Sequence, residues 1–419
     1  MTYRHALFLA SALCCSFIAM AQSRTITVSA TNPDGQARTD VPVTVSLPKD
    51  IRVRSAAVNI SSSSIKSTNH TTTLPYQLDD LDDDGRYDEL FFLTDLDARE
   101  KRTFTVTLTT EKPAETFQPR VYTDMMLTNK KIKESNKQNL YISQLTVENG
   151  TNAYNMLHHH GAAFESELVA YRIYFDHRQT VDIYGKYQPG LELRQTQFYP
   201  DAEQKAQGFG DDVLWVGNTL GVGTLRGWDG QQPVMLNDVE HRSQRLVATG
   251  PLRIIIEVKD RQWRVLPGEE PITMTTRYTL VAGHRDCSVD ILFEDVKPEQ
   301  RFATGLINVK DSREYSNHRG LRGCWGTDWP VSAKDSVGHK RETVGLGISI
   351  PHEYIVEECP ANRDNYPFVV RPVDNRLHYD IVFCSDNEQF GYHSADQWFA
   401  YLREWDAQLK QQIAIATQQ

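Results

Sequence analysis

The sequence has 419 residues, a formal net charge of −10 at neutral pH, and 40% hydrophobic residues. This length exceeds what one small domain uses, so we expect two units of unequal size. The acidic charge argues against nucleic acid or an anionic membrane as a partner, because phosphate backbones and acidic lipids attract basic surfaces.

The first 21 residues have the parts of a secretory signal peptide. Residues 1–4 carry a positive charge, residues 6–20 are apolar, and residues 19–21 form a small-residue cleavage site. The apolar stretch is too short for a membrane-spanning helix, and no later segment is long and apolar enough, so we predict no membrane insertion. We expect cleavage near Ala21 and a protein that is secreted, periplasmic or at the cell surface.

Four cysteines remain after this cleavage: Cys287, Cys324, Cys359 and Cys384. They can pair in three ways in an oxidising compartment. Because none has the C-x-x-C spacing, buried thiols or late disulfides are favoured over a zinc site.

Residues 22–111 consist of short alternating β-runs separated by turn-rich segments, which is the pattern of a small Ig-like β-sandwich. The predicted strands lie at residues 25–28, 43–47, 56–60, 89–93 and 103–108. A segment rich in proline, lysine and asparagine follows at residues 112–140, and we expect it to be a linker or an irregular crossing segment.

Residues 141–419 continue with longer β-runs and predict a large antiparallel sandwich. Predicted strands lie at residues 168–175, 180–184, 253–258, 274–281 and 287–293. Near the C-terminus, Ser394 is a good N-cap, and an apolar stripe recurs at helical spacing. This stripe contains Trp398, Leu402, Trp405, Leu409 and Ile413. The predicted fold class is therefore all-β with a C-terminal α-helix.

An acidic loop at residues 80–88 has the pattern D-x-D-x-D-G-x-x-D. Its carboxylates at Asp80, Asp82, Asp84 and Asp88 are oxygen ligands of the kind that calcium prefers. An EF-hand would need a glutamate where the chain has Phe91. A structural calcium site and a solvated acidic turn are both consistent with this pattern.

The central hairpin has two different faces, because successive side chains of a strand point to opposite sides. One face is apolar. Across the two strands, the other face collects Arg172, Tyr174, Asp182 and Tyr184. Charge beside aromatic rings favours a ligand-binding cleft, and a half-solvated sheet is the alternative.

A run of three histidines, His158–His160, precedes this hairpin. Adjacent side chains cannot all face one pocket, so at most two act, and a surface loop is the alternative. Zinc would need Glu165 or His177 as a further ligand, and no HExxH spacing exists. We therefore favour His159 or His160 as an acid or base, since histidine titrates near neutral pH.

Two glycine-rich loops follow, at residues 208–212 and 221–229. Neither ends in the lysine and hydroxyl pair of a phosphate-binding loop, and no βα unit surrounds them. Their polar and aromatic side chains suit a hydroxyl-rich or carboxylated ligand. Asp211, Arg226 and Trp228 are the predicted binding residues.

Residues 161–167, 170–176, 182–186, 210–214 and 223–228 resemble a secreted bacterial family, domain-of-unknown-function family 4861. The resemblance covers most of the mature chain. It implies an accessory of polysaccharide-utilisation systems in Bacteroidetes-type bacteria, whose partner would be a polysaccharide or oligosaccharide.

Residues 248–254, 277–280 and 282–285 are similar to the central strands of galactose-mutarotase-like supersandwiches. That fold is shared by sugar epimerases, glycoside-processing enzymes and many polysaccharide lyases, so the resemblance implies carbohydrate without deciding the chemistry.

The first hypothesis is a polysaccharide lyase that cleaves a uronic-acid-containing glycan by β-elimination, with no cofactor for catalysis. A cation must neutralise the uronate, a base must remove the proton on C5, and an acid must protonate the leaving oxygen. The candidates are Arg172 or Arg226 as the cation, His159 or His160 as the base, and Tyr174 or Tyr184 as the acid.

Two alternatives remain. A glycoside hydrolase needs two carboxylates, for which Glu165 with Asp211 or Asp182 is the predicted pair. A non-catalytic glycan-binding protein would use the same cleft without turnover.

Overall fold

The structure is a computed structural model that describes residues 22–61, 73–332 and 334–418. The predicted signal peptide and its cleavage site lie outside these residues. Across the described ranges, no helix has the length and apolar character needed to cross a membrane. The chain is mostly antiparallel β-sheet with one long helix near the C-terminus, so the predicted fold class is confirmed.

The first six strands form most of a small two-sheet sandwich. They are β1 (Ser23–Thr31), β2 (Arg38–Ser46), β3 (Ser55–Ile60), β4 (Tyr76–Asp79), β5 (Glu89–Leu96) and β6 (Lys101–Thr109). The side chains of Ile26, Val28 and Ala30 alternate with polar ones and are buried. A core with Val43, Val58, Phe92 and Phe104 joins the two sheets, because period-two alternation turns each apolar face inward.

Ten strands lead up to and surround the central hairpin. They are β7 (Val121–Asp124), β8 (Met126–Leu127), β9 (Leu140–Tyr141), β10 (Gln144–Glu148), β11 (Gly161–Ser166), β12 (Ala170–Tyr174), β13 (Val181–Gly185), β14 (Asp211–Asp212), β15 (Arg226–Trp228) and β16 (Pro233–Val234). The helical pieces here are the 3₁₀ turn His158–His160, α1 (Leu193–Thr196) and α2 (Ala202–Ala206).

Longer strands make up the rest. They are β17 (His241–Thr249), β18 (Arg253–Trp263), β19 (Ile272–Val281), β20 (Asp286–Glu294), β21 (Phe302–Ile307), β22 (Arg313–Ser316), β23 (Leu321–Asp328), β24 (Glu342–Ser349), β25 (Ile355–Glu358), β26 (Asn365–Val370), β27 (Arg376–Ser385) and β28 (Ala414–Gln418). A 3₁₀ turn spans His352–Tyr354, and helix α3 spans Ala395–Lys410.

Three sheets enclose the main core. A nine-stranded sheet has the order β10-β17-β18-β19-β20-β27-β24-β23-β22, and two five-stranded sheets have the orders β14-β13-β12-β11-β7 and β16-β15-β21-β26-β25. Tyr171 and Ile183 from the first five-stranded sheet, Ile254 and Tyr278 from the nine-stranded sheet, and Phe368 from the other share one apolar cluster. The hairpin β12–β13 thus turns one face into this core and leaves the other for the candidate site.

The ends of the two units differ from the predicted boundaries. Strand β7 lies in the segment expected to be a linker, and it pairs with β11 in the hairpin sheet. Strand β28 pairs with β1, so the last described strand completes the first sheet. Ile413, expected in the helical stripe, follows the end of α3 and packs against the core of the small sandwich.

Helix α3 packs on the outer face of the nine-stranded sheet. The Ser394 hydroxyl accepts a hydrogen bond from the Gln397 backbone N–H at 3.3 Å, which caps the helix as predicted. The buried Trp398 and Leu402 lie over sheet glycines. A Cβ at Gly345 would come within 2.8 Å of the Trp398 indole, so a larger residue there would push the helix away.

The small sandwich is attached to the large unit through a buried ion pair. Arg253, at the start of β18, contacts Asp79 of β4 at 2.6 Å and Glu89 of β5 at 2.7 Å. Burial raises the pKa of Asp79, and the neighbouring Arg253 opposes that change. The two units are therefore joined by charges that must stay paired.

The four cysteines of the large unit are all free thiols, and Cys287, Cys324 and Cys384 are buried. Of the two predicted states, the structure shows free thiols, and none of the three possible disulfide pairings is present.

Candidate functional site

The polar face of the central hairpin assembles around one carboxylate, as the strand register requires. Arg172 lies opposite Asp182 in the β12–β13 pair. Its Nε and Nη2 donate to Asp182 Oδ2 at 2.9 and 2.6 Å. The Tyr174 hydroxyl donates to the same oxygen at 2.9 Å. Three of the four residues predicted for this face therefore contact one another.

Two residues that the sequence analysis missed complete this network. Arg172 Nη2 also donates to Asp212 Oδ2 at 2.8 Å, and Nη1 donates to the Tyr199 hydroxyl at 3.0 Å. The guanidinium lies 4.1 Å from the ring centre of Phe198. Burial and the neighbouring Asp182 raise the pKa of Asp212, while Arg172 lowers it. Asp212 therefore takes the place predicted for its neighbour Asp211.

The segment that contains α1 and α2 covers much of this polar face. Leu193 and Phe198 pack on Ala163, Ala170 and Tyr184 of the sheet. Asp182 is fully buried as a result, and Arg172 is only 3% exposed. The face is neither half-solvated nor open along its length, and a ligand can approach it only from its rim.

Two histidines of the run have left-handed backbone conformations, with φ of 41° at His159 and 70° at His160. Such values are costly for residues other than glycine and persist only where the surroundings hold them. The His159 side chain is buried, and its Nε2 lies 3.0 Å from Asp124 Oδ1. Asp124 Oδ2 in turn accepts from the Tyr122 hydroxyl at 2.9 Å. His159 is thus directed inward, away from solvent.

His160 instead lies half-buried at the rim of the polar face. Its Nδ1 is 2.9 Å from the backbone oxygen of Tyr154. A carbonyl oxygen only accepts, so Nδ1 carries the hydrogen and Nε2 is the unprotonated nitrogen. Burial lowers the pKa of His160 to about 4. The residue is therefore a neutral base at pH 7.

Two aromatic rings contact His160, and a second arginine contacts the same rings. Its imidazole stacks on Tyr154 with ring centres 3.6 Å apart and packs edge-on to Tyr174 at 6.0 Å. Arg178, in the hairpin turn, lies 4.3 Å from the ring centre of Tyr154. Its Nε and Nη2 contact Asp176 Oδ2 at 2.7 and 2.6 Å, and the side chain is partly exposed.

A cavity of about 180 Å³ is lined in part by Asp176, His177 and Arg242. Tyr154 and Arg178 were not predicted as site residues. Tyr154 precedes the histidine run, and Arg178 lies in a turn with no motif, so only their proximity in the fold shows their role. We refer to His160, Tyr154, Arg178, Tyr174 and Tyr199 as the rim cluster.

Glu165 and Tyr184 lie behind the rim cluster and are closed off from it. Glu165 is fully buried and contacts Lys186 Nζ at 2.6 Å. Its carboxylate also accepts the backbone N–H groups of Glu192 and Leu193 at 2.9 and 2.7 Å. The Tyr184 hydroxyl donates to Glu192 at 3.0 Å. These contacts fasten α1 to the sheet, and burial raises the pKa of Glu165.

Comparison with known proteins places most of the chain in one family. Residues 30–415 match the model described as domain of unknown function (DUF4861). The chain belongs to the DUF4861 family. No curated protein matches it.

Two solved structures from Enterococcus faecalis are similar to this DUF4861 chain over 94% of its length. A protein in the glycosyl hydrolase family 38 is 11% identical with a TM-score of 0.47, and an alpha-mannosidase is 10% identical with a TM-score of 0.43. The chain spans 47% and 46% of their lengths, about half. At these TM-scores the similarity has no bearing on activity.

The residues predicted in the glycine-rich loops lie apart from the rim cluster. Asp211 is partly exposed and pairs with Lys205. Arg226 and Trp228 lie on β15, in the other five-stranded sheet. Arg226 forms part of the wall of a separate cleft, whereas Trp228 is half-buried opposite Pro233.

The acidic loop lies on the small sandwich. Ligand oxygens of Asp80, Asp82 and Asp88 lie within 4.8 Å of one another. Three converging carboxylates fit a hard cation such as calcium. Asp84 is outside this group, and its Oδ1 accepts the Arg86 backbone N–H at 2.8 Å. The loop belongs to the small sandwich and the rim cluster to the large unit, so a cation held here would stabilise the fold.

Proposed function

We propose that this DUF4861 protein is a secreted carbohydrate-active enzyme whose rim cluster cleaves a uronate-containing polysaccharide by β-elimination. The observation that carries the proposal is the tautomer of His160. A neutral imidazole with an unprotonated Nε2 stacks on Tyr154, and the ring of Tyr154 also lies 4.3 Å from the partly exposed guanidinium of Arg178. A base and a cation around one ring suit the removal of a proton beside a carboxylate.

His160 Nε2 is the base for the proton on C5 of the uronate. As that proton leaves, its electron pair forms the double bond between C4 and C5, and the bond from C4 to the glycosidic oxygen breaks. Negative charge builds on the carboxylate during this step. Arg178 would bind that carboxylate and stabilise the charge.

Tyr199 is the acid that protonates the leaving oxygen. Its hydroxyl accepts from Arg172, so its own hydrogen remains available to donate, and burial raises its pKa so that it keeps this hydrogen at neutral pH. The Tyr174 hydroxyl already donates to Asp182 and is only 2% exposed. Arg172 is then a positioning residue that acts through Tyr199, and no cofactor is required.

Hydrolysis is the second candidate, because Asp182 and Asp212 both contact Arg172 Nη2. Burial raises the pKa of Asp212, and the two carboxyl groups contact one guanidinium. A pair of neighbouring carboxyl groups is the minimum that glycoside hydrolysis needs. Arg172 lies between the two groups, however, and Asp182 is fully buried. The glycosidic bond therefore has less access to this pair than to the rim cluster.

Incubation of the purified protein with a panel of uronate-containing polysaccharides separates these functions. β-Elimination gives ultraviolet absorbance from the unsaturated uronide, and this absorbance should appear at least about a hundredfold more slowly in His160→Ala. New reducing ends without absorbance would support hydrolysis and should depend on Asp212. Retention on a glycan gel without any product would support glycan binding alone and contradict both enzymatic proposals.

A further inference from the structure

A second cleft opens beside the exposed indole of Trp215. It has a volume of about 590 Å³ and lies at the junction of the loop after β14 with the sheet that contains β15. Trp215 is 44% exposed, which is unusual for so large an apolar side chain. The charged residues on the cleft wall are Arg226, Arg363 and Asp364, so its charged side chains sum to a positive charge.

Arg226 is a buried cation without a carboxylate partner in the described ranges. It is 1% exposed. Its Nη2 donates to the Thr180 hydroxyl and to the Thr219 backbone oxygen, both at 3.1 Å. Its Nη1 is buried and has no hydrogen-bond partner among the described residues.

This arrangement differs from that of the chain's other deeply buried arginines. Arg172, Arg242 and Arg253 each contact an aspartate at 2.6 to 2.7 Å. Burying a charge without an ion-pair partner is unfavourable, so a counter-charge from a bound ligand would stabilise this arginine. Burial lowers the pKa of Arg226 to about 9, so the guanidinium is still charged at neutral pH.

We propose that this cleft is a binding subsite for a carboxylate-bearing sugar residue, with Arg226 pairing with the carboxylate and Trp215 stacking on the sugar ring. Guanidinium groups recognise carboxylates through paired donors, and an exposed indole offers a flat apolar face to a pyranose. The choice of an acidic sugar rests on the proposed function, whereas binding to the cleft does not require turnover.

Binding is measured by calorimetry on the His160→Ala protein, which removes the proposed base and keeps the ligand intact. The probes are oligogalacturonate, oligoglucuronate and oligomannuronate of four sugars, each beside its carboxyl-reduced counterpart. The starting protein should bind at least one acidic probe and prefer it to the reduced one. Arg226→Gln should lower the affinity for that acidic probe by about tenfold or more, because the charge pair is lost. The affinity for the carboxyl-reduced probe should not change.

Trp215→Ala changes an exposed residue and so tests the cleft without touching the buried arginine. This variant should have a lower affinity for the acidic and the carboxyl-reduced probes alike. The proposal is overturned if no acidic probe binds, or if a folded Arg226→Gln protein binds the acidic probe as tightly as its parent. If Arg226→Gln does not fold, unchanged binding in Trp215→Ala overturns it. Acid-selective binding that depends on Arg226, in a protein that never forms unsaturated product, would leave this inference standing and remove the proposed function.

Discussion

The imidazole of His160 stacks on the ring of Tyr154 at 3.6 Å while its Nδ1 contacts the Tyr154 backbone oxygen at 2.9 Å. One residue therefore fixes both the plane and the tautomer of the histidine. A second group that holds a catalytic imidazole in its correct tautomer is a recurring requirement of base catalysis. The first two predictions below depend on this pair.

Replacing His160 by alanine should lower the rate of unsaturated-product formation by about 10²- to 10⁴-fold, because it removes the general base. The melting temperature should change little, since the side chain is only half-buried. His352→Ala, at an exposed histidine outside the rim cluster, is the matched control and should keep full activity. Equal activity in both variants would exclude His160 as the base.

The acid limb of the activity profile should follow the depressed pKa of His160. The base works only when unprotonated, so kcat/KM should fall as the pH drops through about 4 and stay level from there to neutral pH. An ordinary histidine would place this limb near 6.5, to a rough approximation. A limb measured near 6.5 would show that His160 is not the titrating base or is not buried as described.

Arg172→Ala should destabilise the protein by about 3–5 kcal/mol, because it leaves Asp182 buried without its cation. The free energy of unfolding in urea measures this change. The exposed pair of Arg313 and Asp396 provides the control, and Arg313→Ala should have little effect. A similar small effect in both variants would mean that Arg172 is not part of a buried network.

Calcium should raise the melting temperature through the acidic loop. A cation that binds only the folded state at 100 times its Kd stabilises it by about 2.7 kcal/mol. Asp82→Asn removes one of the three converging carboxylates and should abolish the shift, whereas Glu115→Gln, at an exposed acid elsewhere, should not. If calcium leaves the wild-type melting temperature unchanged, the solvated acidic turn is the correct interpretation.

Four thiols should react with a thiol reagent in the denatured, unreduced protein that begins near Gln22. In the folded protein only Cys359 should react readily, because the other three are buried. Burial also raises the pKa of Cys324 to about 12, which suppresses its thiolate. Mass spectrometry counts the labels, and fewer than four on the denatured protein would show a disulfide.

By itself, the sequence determined the features that depend on local periodicity. Alternation along the chain put Arg172 and Asp182 on the same face of the hairpin, because a two-residue period leaves only one inward set, and the structure then shows them opposite each other. The Ser394 cap and the spacing of Trp398 and Leu402 located helix α3 for the same reason.

Only the tertiary structure decided which of these residues meet a ligand. The sequence predicted Glu165 as a catalytic carboxylate, but its oxygens pair with Lys186 and accept hydrogen bonds from two backbone N–H groups. Tyr154 and Arg178 lie on separate loops, and the Tyr154 ring contacts both His160 and Arg178. Local pattern determines which face of a strand a side chain takes, but burial, tautomer and partner depend on contacts between segments distant in sequence.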